Sequence, residues 1–222
     1  MTNANPLHHP SATLLAAVAS GRLSPAVTRI VGAHAKLCPR CRALMAETET
    51  IAGAALDLDE GVDLAPDALD RALAALTNEP QAVASLPEAL SALPEEVHDL
   101  VSSSIGKAQW RSGGMGLRIL DLDLPKTAEG ESFQLFRIEP GYGPPRHTHG
   151  GQEFTLVLTG AFKDETGTYK AGDIEIGDGS ITHRPVAEPG EICFALAVTT
   201  APLKFTGPLG VLQRVLNFGR SK

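Results

Sequence analysis

The first 109 positions contain no aromatic residue, and all ten Phe, Trp and Tyr residues lie between Trp110 and Phe218. Glycine is also scarce at the start, since 18 of the 22 glycines follow position 100, whereas 22 alanines precede it. Ala-rich, Gly-poor sequence favours helix, and Gly-rich sequence with aromatic and β-branched residues favours strands and turns. The sequence therefore predicts an α + β protein with the two classes in separate domains.

Other absences exclude whole classes of function. No run approaches the ~20 apolar residues of a membrane helix, and the start lacks the basic segment and apolar core of a secretory signal. We therefore expect a cytoplasmic protein with no membrane partner. The 26 acidic residues outnumber the 19 basic ones, and the pI near 5.5 argues against direct binding of nucleic acid. Three cysteines are too few for a disulfide framework and indicate metal or redox chemistry instead.

Four helices are predicted in the first half. Ser11 can cap the first, Ser24 followed by proline can cap the second, Pro39 begins the third and Pro66 begins the fourth. Apolar residues recur at helical spacing in each segment, as at Leu69, Leu73 and Leu76 in the fourth. We expect a small helical bundle over residues 1–80, followed by a proline-punctuated linker over residues 81–104.

The second half reads as short strands separated by Gly, Pro and Asp turns, which is typical of an antiparallel β-barrel or jelly roll. We assign residues 105–222 to this domain. The clearest strands are Leu117–Leu122, Phe133–Ile138, Phe154–Leu158, Asp173–Ile176 and Cys193–Val198.

Four potential metal ligands lie near the amino terminus. His34, Cys38 and Cys41 have the spacing H-x3-C-x2-C, and His9 precedes the first predicted helix. Zinc binds imidazole nitrogen and thiolate sulfur tetrahedrally, so these side chains can complete a closed structural site. His8 competes with His9 on spacing alone. The other interpretation makes the two cysteines a redox pair or plain core residues.

A second group of potential ligands lies in the β-rich half. His147 and His149 are alternate residues, so on a strand both side chains point to the same side. Glu153 returns on the next strand, and His183 follows on a later one. Three imidazoles and one carboxylate suit zinc, iron, manganese or nickel, and the sequence does not choose among them.

The amino-terminal pattern resembles the zinc-binding anti-sigma domain, a small helical bundle that binds an extracytoplasmic-function sigma factor. That family carries H-x3-C-x2-C at the junction of its second and third helices and a further histidine upstream, which favours His9 as the fourth ligand. The resemblance covers about residues 1–80.

The second half resembles a cupin domain over about residues 105–205. The first cupin motif, G-x5-H-x-H-x3-E-x6-G, is met at every fixed position from Gly141 to Gly160. The second motif, G-x5-P-x-G-x2-H-x3-N, retains Gly172 and His183. The positions where the family has Pro, Gly and Asn are occupied by Asp178, Ser180 and Ala187.

Together, the two halves resemble the ChrR family of anti-sigma factors over almost the whole chain. The resemblance implies a cytoplasmic protein, not an enzyme, that inhibits an extracytoplasmic-function sigma factor through its zinc-bound helical domain. It also implies a second zinc, or another divalent metal, in the cupin domain, which is required to release the sigma factor under singlet-oxygen or oxidative stress. The alternative function is that of a metal-dependent cupin enzyme of the dioxygenase type.

Two further expectations concern the parts of the chain. Residues 1–85 contain every helix and ligand predicted for the zinc domain, so we expect this fragment to inhibit the sigma factor unaided. Cys193 lies in an apolar strand and is interpreted as a buried core residue, with a redox-sensing thiol as the alternative.

Overall fold

The computed structural model describes residues 6–56, 60–76, 90–105, 109–123 and 130–206. The helices are α1 (Ala12–Ala19), α2 (Pro25–Leu37), α3 (Pro39–Leu56), α4 (Ala68–Leu76), a 3-10 helix (Glu95–Val97) and α5 (His98–Ile105). The first strands are β1 (Arg111–Gly114), β2 (Leu117–Asp121), β3 (Ser132–Ile138), β4 (His147–His149), β5 (Glu153–Thr159) and β6 (Ala161–Lys163). The later strands are β7 (Thr168–Lys170), β8 (Ile174–Gly177), β9 (Thr182–His183), β10 (Val186–Ala187), β11 (Cys193–Thr199) and β12 (Leu203–Phe205). The predicted division into a helical first half and an antiparallel β second half is confirmed.

The helix boundaries follow from the sequence. Ser11 and Ser24 cap α1 and α2, because their side chains accept hydrogen bonds from the backbone N–H groups of Leu14 (3.1 Å) and Val27 (3.3 Å). Gly21 follows α1 with φ at +65°, a conformation that L side chains rarely adopt. The fourth helix begins at Ala68, two residues after the predicted proline.

The strands of the described residues form three antiparallel sheets. The largest has six strands in the order β1-β2-β3-β11-β5-β8, and two three-stranded sheets, β10-β6-β7 and β12-β4-β9, complete the barrel. All five predicted strands are present, with ends that differ by one residue. β4 and β9 carry the histidines for which the ligand pattern already predicts strands. The remaining strands, which the sequence did not predict, are two to four residues long, too short for a pattern of alternating polarity to stand out.

The two faces of the six-stranded sheet have different neighbours. In β5, Phe154, Leu156 and Leu158 pack in one hydrophobic cluster with the helices, whereas Thr155 lines a cavity inside the barrel. Successive strand residues point to opposite faces, so a strand buried on both sides reads as a continuous apolar run. The helices thus cover the outer face of the barrel's main sheet.

The cluster between helices and sheet is called here the shared core. From the helical side it includes the buried face of α2, with Val27, Ile30 and Val31, all 5% exposed or less. From the sheet it includes side chains of β2, β3, β5, β8 and β11. A polar contact joins the same two parts, since Ser24 Oγ donates to Glu131 Oε1.

Residues 90–105 also belong to this packing. The 3-10 helix and α5 lie here, and Leu90, Leu93, Val97 and Val101 are buried in the shared core. This part of the predicted linker over residues 81–104 is therefore helical and packed, because its apolar residues recur at spacings of three and four and meet α2 and the sheet. Residues 81–89 of that linker lie outside the described residues. Among the helices that the structure describes, none has the length and apolar character needed to cross a membrane.

Candidate metal centres

The helices bring His9, His34, Cys38 and Cys41 together at one point. His34 lies in the last turn of α2, Cys38 ends that helix, and Cys41 lies in the first turn of α3. The Nε2 atom of His34 lies 3.3 Å from Cys41 Sγ, and His9 Nδ1 lies 3.5 Å from both sulfurs. Tetrahedral zinc with bonds of about 2.0 Å to nitrogen and 2.3 Å to sulfur places its donors roughly 3.3–3.8 Å apart. These three separations fit that geometry, and all four donor atoms lie within 4.8 Å of one another.

His8 lies elsewhere. Its ring packs against Tyr169 with centroids 4.4 Å apart, and its Nδ1 lies 3.4 Å from Asp173 Oδ2. The geometry therefore brings His9, and not His8, to the two cysteines.

Burial shifts the pKa values of two donors of this centre. It lowers the pKa of His34 to about 4, so the imidazole is neutral and can offer a lone pair. Its Nδ1 donates to the Gly172 carbonyl at 2.8 Å, which directs Nε2 at the sulfurs. Burial, together with a hydrogen bond to Cys38, raises the pKa of the Cys41 thiol to about 12 in the absence of metal. A bound cation is what favours the thiolate here.

The second centre lies inside the barrel. His147 and His149 project from β4, Glu153 begins β5, and His183 ends β9 beside β4. Glu153 Oε2 lies 3.0 Å from His149 Nε2 and 3.6 Å from the Nε2 atoms of His147 and His183. The Nε2 atoms of His147 and His183 are 3.1 Å apart. Four buried donors at these separations match a divalent ion with bonds of about 2.0–2.2 Å.

Hydrogen bonds on the far side of each ring orient the three imidazoles. His147 Nδ1 donates to the Pro145 carbonyl at 2.7 Å, and His149 Nδ1 donates to the Asp178 carbonyl at 2.9 Å. His183 Nδ1 lies 2.6 Å from Asp164 Oδ2. Each bond fixes the tautomer with Nε2 directed at the centre.

Two buried carboxyl groups meet at His183. Glu175 Oε1 lies 3.1 Å from His183 Nδ1, next to Asp164. Burial and the hydrogen bond with Asp164 raise the pKa of Glu175, whereas hydrogen bonds from Glu175 and Thr166 outweigh burial and lower the pKa of Asp164 to about 2. Asp164 is therefore the stronger acid of the pair, and a proton shared by the two carboxyl groups lies on Glu175.

A cavity adjoins this second centre. It has a volume of about 610 Å³, and its lining includes His147 and Glu153. A metal held by the four side chains would face this space, so the centre is not closed in the way that the helical one is.

Comparison with known proteins identifies the chain's relatives. Residues 99–203 match the family described as the ChrR Cupin-like domain. The chain is 39% identical over 198 residues to the anti-sigma-E factor ChrR of Cereibacter sphaeroides, and the match covers 89% of this chain and 92% of that protein. The chain belongs to the ChrR family of anti-sigma factors. The family predicted from the sequence is confirmed.

A solved structure of the ChrR family supports the fold. The chain superposes with a TM-score of 0.69 on the crystal structure of Rhodobacter sphaeroides SigE in complex with the anti-sigma ChrR. The two are 36% identical, and the match covers 86% of this chain and 98% of that one.

Three contacts of the ChrR-family fold were not predicted from the sequence. The first two are the Gly172 carbonyl on His34 and the Asp164–Glu175 pair on His183. The third is Asp173, whose Oδ1 accepts from the backbone N–H groups of Leu7 (2.6 Å) and His8 (2.9 Å). The sequence contains a signal for the second of these contacts. Glu175 lies between two isoleucines, and a carboxylate in such an apolar run indicates a buried charged group.

These contacts place one short segment between the two centres. Residues 172–175, called here the coupling segment, contact His34 through Gly172 and the chain just before His9 through Asp173. The backbone N–H of Ile174 also donates to the His8 carbonyl at 3.3 Å. The same segment contacts His183 through Glu175.

Proposed function

We propose that this chain binds an extracytoplasmic-function sigma factor through its helical part and thereby inhibits it. The supporting observation is an exposed apolar surface on α4. None of the nine residues of α4 is buried, and Leu69, Leu73 and Leu76 on one face are 69%, 52% and 78% exposed. An amphipathic helix with an uncovered apolar face is a typical docking element. The related ChrR is known in complex with SigE, which indicates the class of partner.

The exposed surface includes more than α4. Ile51 and Leu56 of α3 are more than 70% exposed, and Val62 and Leu64 lie between the two helices with still greater exposure. By contrast, the buried face of α2 is already packed against the barrel. The exposed apolar residues of α3 and α4 are therefore available to the sigma factor.

Zinc at His9, His34, Cys38 and Cys41 holds this helical part in shape, in our proposal. The four donors are of the types that structural zinc prefers, and the segments that carry them come from three different places in the chain. A helical half without aromatic residues buries little by itself, so metal binding supplies part of its folding free energy.

The cupin centre receives the releasing stimulus in this proposal. His147, His149, Glu153 and His183 hold zinc or another divalent metal, and singlet oxygen or a related oxidant disturbs that centre. The coupling segment provides a physical route, because it contacts His183 at one end and His34 and the chain before His9 at the other. We retain the division into residues 1–80, 81–104 and 105–222 as functional units, with residues 90–104 packed against both of the others. A cytoplasmic location is part of the same proposal.

A metal-dependent cupin enzyme is the second candidate function. The observation that favours it is the cavity beside the barrel centre, which leaves room for a substrate. We propose that the chain is not an enzyme. Zinc at both centres with no oxygen uptake supports regulation, whereas iron in the barrel with oxygen uptake supports the enzyme.

Binding of a purified sigma factor tests the main proposal. The zinc-loaded full chain, immobilised, should retain Rhodobacter sphaeroides SigE, and prior treatment with a strong chelator should reduce the captured amount at least tenfold. Re-addition of zinc should restore capture. If neither this sigma factor nor the extracytoplasmic-function sigma factors of the chain's own organism bind the zinc-loaded protein, the proposed function is wrong.

A further inference from the structure

The cavity in the barrel has an uneven distribution of polar and apolar groups. Two metal donors, His147 and Glu153, line it at a single place, because the donor atoms of the second centre lie within 4.8 Å of one another. The walls are apolar and partly aromatic, and they include Leu117, Ile119, Phe136, Ile138, Leu203 and Phe205. A molecule that fills this space needs one polar end and an apolar body.

Water is a poor occupant of the wall region. The polar side chains that line it largely bond to one another: Ser132 Oγ lies 2.7 Å from Thr199 Oγ1, and Gln134 Nε2 donates to Asp121 Oδ1 at 2.6 Å. An enclosed water needs two to four polar partners. Empty apolar space is also unfavourable, because the atoms that line it lose their van der Waals partners. An apolar molecule therefore suits the walls better than either water or vacancy.

The charge of the donor set selects the polar end of that molecule. Three neutral imidazoles and one carboxylate around a divalent cation leave one net positive charge on the metal and its donors, and the Asp164 carboxylate balances that charge only from the far side of the His183 ring. An anionic oxygen bound directly to the metal would lie closer to this positive charge than Asp164 does, so the metal favours an anionic donor over a neutral one. Carboxylate oxygen is a suitable ligand for the divalent metals that this donor set admits.

We propose that the barrel binds a medium-length apolar monocarboxylate, with its carboxylate at the metal centre and its chain along the aromatic wall. The volume of about 610 Å³ lies within the roughly 300–1,000 Å³ of small-molecule sites. With about 30 Å³ for each non-hydrogen atom at liquid density, it holds on the order of twenty such atoms. The Arg111–Asp121 ion pair also lines this cavity. Because its two side chains are about half exposed, the cavity is open to solvent at this point.

Calorimetric titration of the zinc-loaded full chain tests this ligand class. Decanoate is the probe, and decanol and decyltrimethylammonium are the matched neutral and cationic molecules. Decanoate should bind at one site, at least tenfold more tightly than either analogue. In cobalt-substituted protein, decanoate should also change the visible absorption of the barrel metal. Equal affinity for decanoate and decanol, or an unchanged cobalt spectrum on saturation, would overturn the proposal.

Two variants locate the binding site. Ala195 lines the cavity, so Ala195→Leu should fill part of it and weaken decanoate binding at least tenfold while shorter acids such as hexanoate are less affected. Ala161→Leu adds the same side chain on β6, at a half-buried position that does not line the cavity, and should leave binding unchanged. Equal loss in both variants, or no loss in either, would place decanoate elsewhere, for example on the exposed leucines of α4. Because binding does not require a sigma factor, this result is independent of the proposed function.

Discussion

The two ring nitrogens of His34 contact different halves of the molecule. Nε2 lies 3.3 Å from Cys41 Sγ in the helical centre, and Nδ1 donates to the Gly172 carbonyl of the barrel. The ring is fully buried, and burial holds its pKa near 4. A single neutral imidazole thus contributes to a metal centre and to the attachment of the helices to the sheet.

The cysteines offer a matched test of the helical centre. Cys41→Ala should abolish zinc binding at this centre and reduce sigma-factor capture by more than tenfold, because it removes one of four donors from a closed site. Cys193→Ala removes a thiol that is equally buried but lies in the apolar core of the barrel, and it should leave the zinc content of the helical centre unchanged. Zinc analysis and capture of SigE measure both effects. A Cys41→Ala protein that retains stoichiometric zinc at this centre would contradict the assignment.

The two carboxyl groups at His183 offer a second test. Since Asp164 is the stronger acid of the two and lies 2.6 Å from His183 Nδ1, Asp164→Asn should weaken metal binding in the barrel about 10–100-fold. Glu175→Gln imitates the protonated acid and should weaken it much less. Competition with a chelator of known affinity measures both. Equal losses in the two variants would show that the charge is not localised on Asp164.

Among the elements, α4 and α2 differ in whether other parts of the chain cover their apolar faces. Its apolar face is exposed, whereas the apolar face of α2 is buried in the shared core. Leu73→Asp should therefore leave folding nearly unchanged, within about 0.5 kcal/mol as for most surface substitutions, and reduce sigma-factor affinity at least tenfold. Ala75→Asp introduces the same charge about 160° away from Leu73 around the helix and should have little effect on binding. Calorimetry with SigE and thermal melts distinguish binding from stability; equal binding by both variants and the unmodified chain would exclude this face.

The coupling segment is the element that joins the two centres. His149→Ala removes a donor from the barrel, and we expect it to accelerate zinc loss from the helical centre through residues 172–175. Asp173→Ala breaks the contacts with Leu7 and His8, so in that background His149→Ala should have little further effect. The non-additivity in a double-mutant cycle should be about 0.5–2 kcal/mol. Full additivity of the two substitutions would mean that the coupling segment does not connect the centres.

How much the sequence predicts depends on the range of the interaction. Local rules identify the serine caps of α1 and α2, the five long strands and seven of the eight potential ligands, because spacing and polarity are properties of neighbouring residues. Spacing does not separate His9 from His8, and the family resemblance favours His9. The Gly172–His34 bond joins residues 138 positions apart, and no local pattern contains it. The packing of residues 90–105 was not predicted for a related reason. Prolines at 80, 87 and 94 indicate a linker, whereas Val97 and Val101 pack in a core whose other residues lie far away in the chain, in α2 and in the barrel.

The composition break predicts two domains but not how they pack. At the scale of the whole molecule, the helices and the barrel bury a common core. The helical half has no aromatic residue, and side chains on the outer face of the six-stranded sheet provide much of the apolar surface against which it packs. Each part therefore contributes to the stability of the other. The exposed apolar residues of α3 and α4, in contrast, lie outside this common core, so their exposure does not depend on the barrel.

The 1–85 fragment separates the binding of the sigma factor from the stability that the shared core provides. It retains His9, both cysteines, His34 and α4, so with zinc it should still capture SigE. It loses Leu90, Leu93, Val97 and Val101 and the whole sheet face, which exposes the α2 residues that the shared core buries. At about 25 cal/mol per Å² of newly exposed apolar surface, this loss amounts to several kcal/mol, and we expect a lower melting temperature and a tendency to self-associate.

Restoring residues 86–105 should not recover stability, because those helices also need the sheet. Thermal melts and light scattering of the zinc-loaded fragment and full chain measure the difference. A fragment as stable and as monomeric as the full chain would show that the shared core contributes little to the helical half.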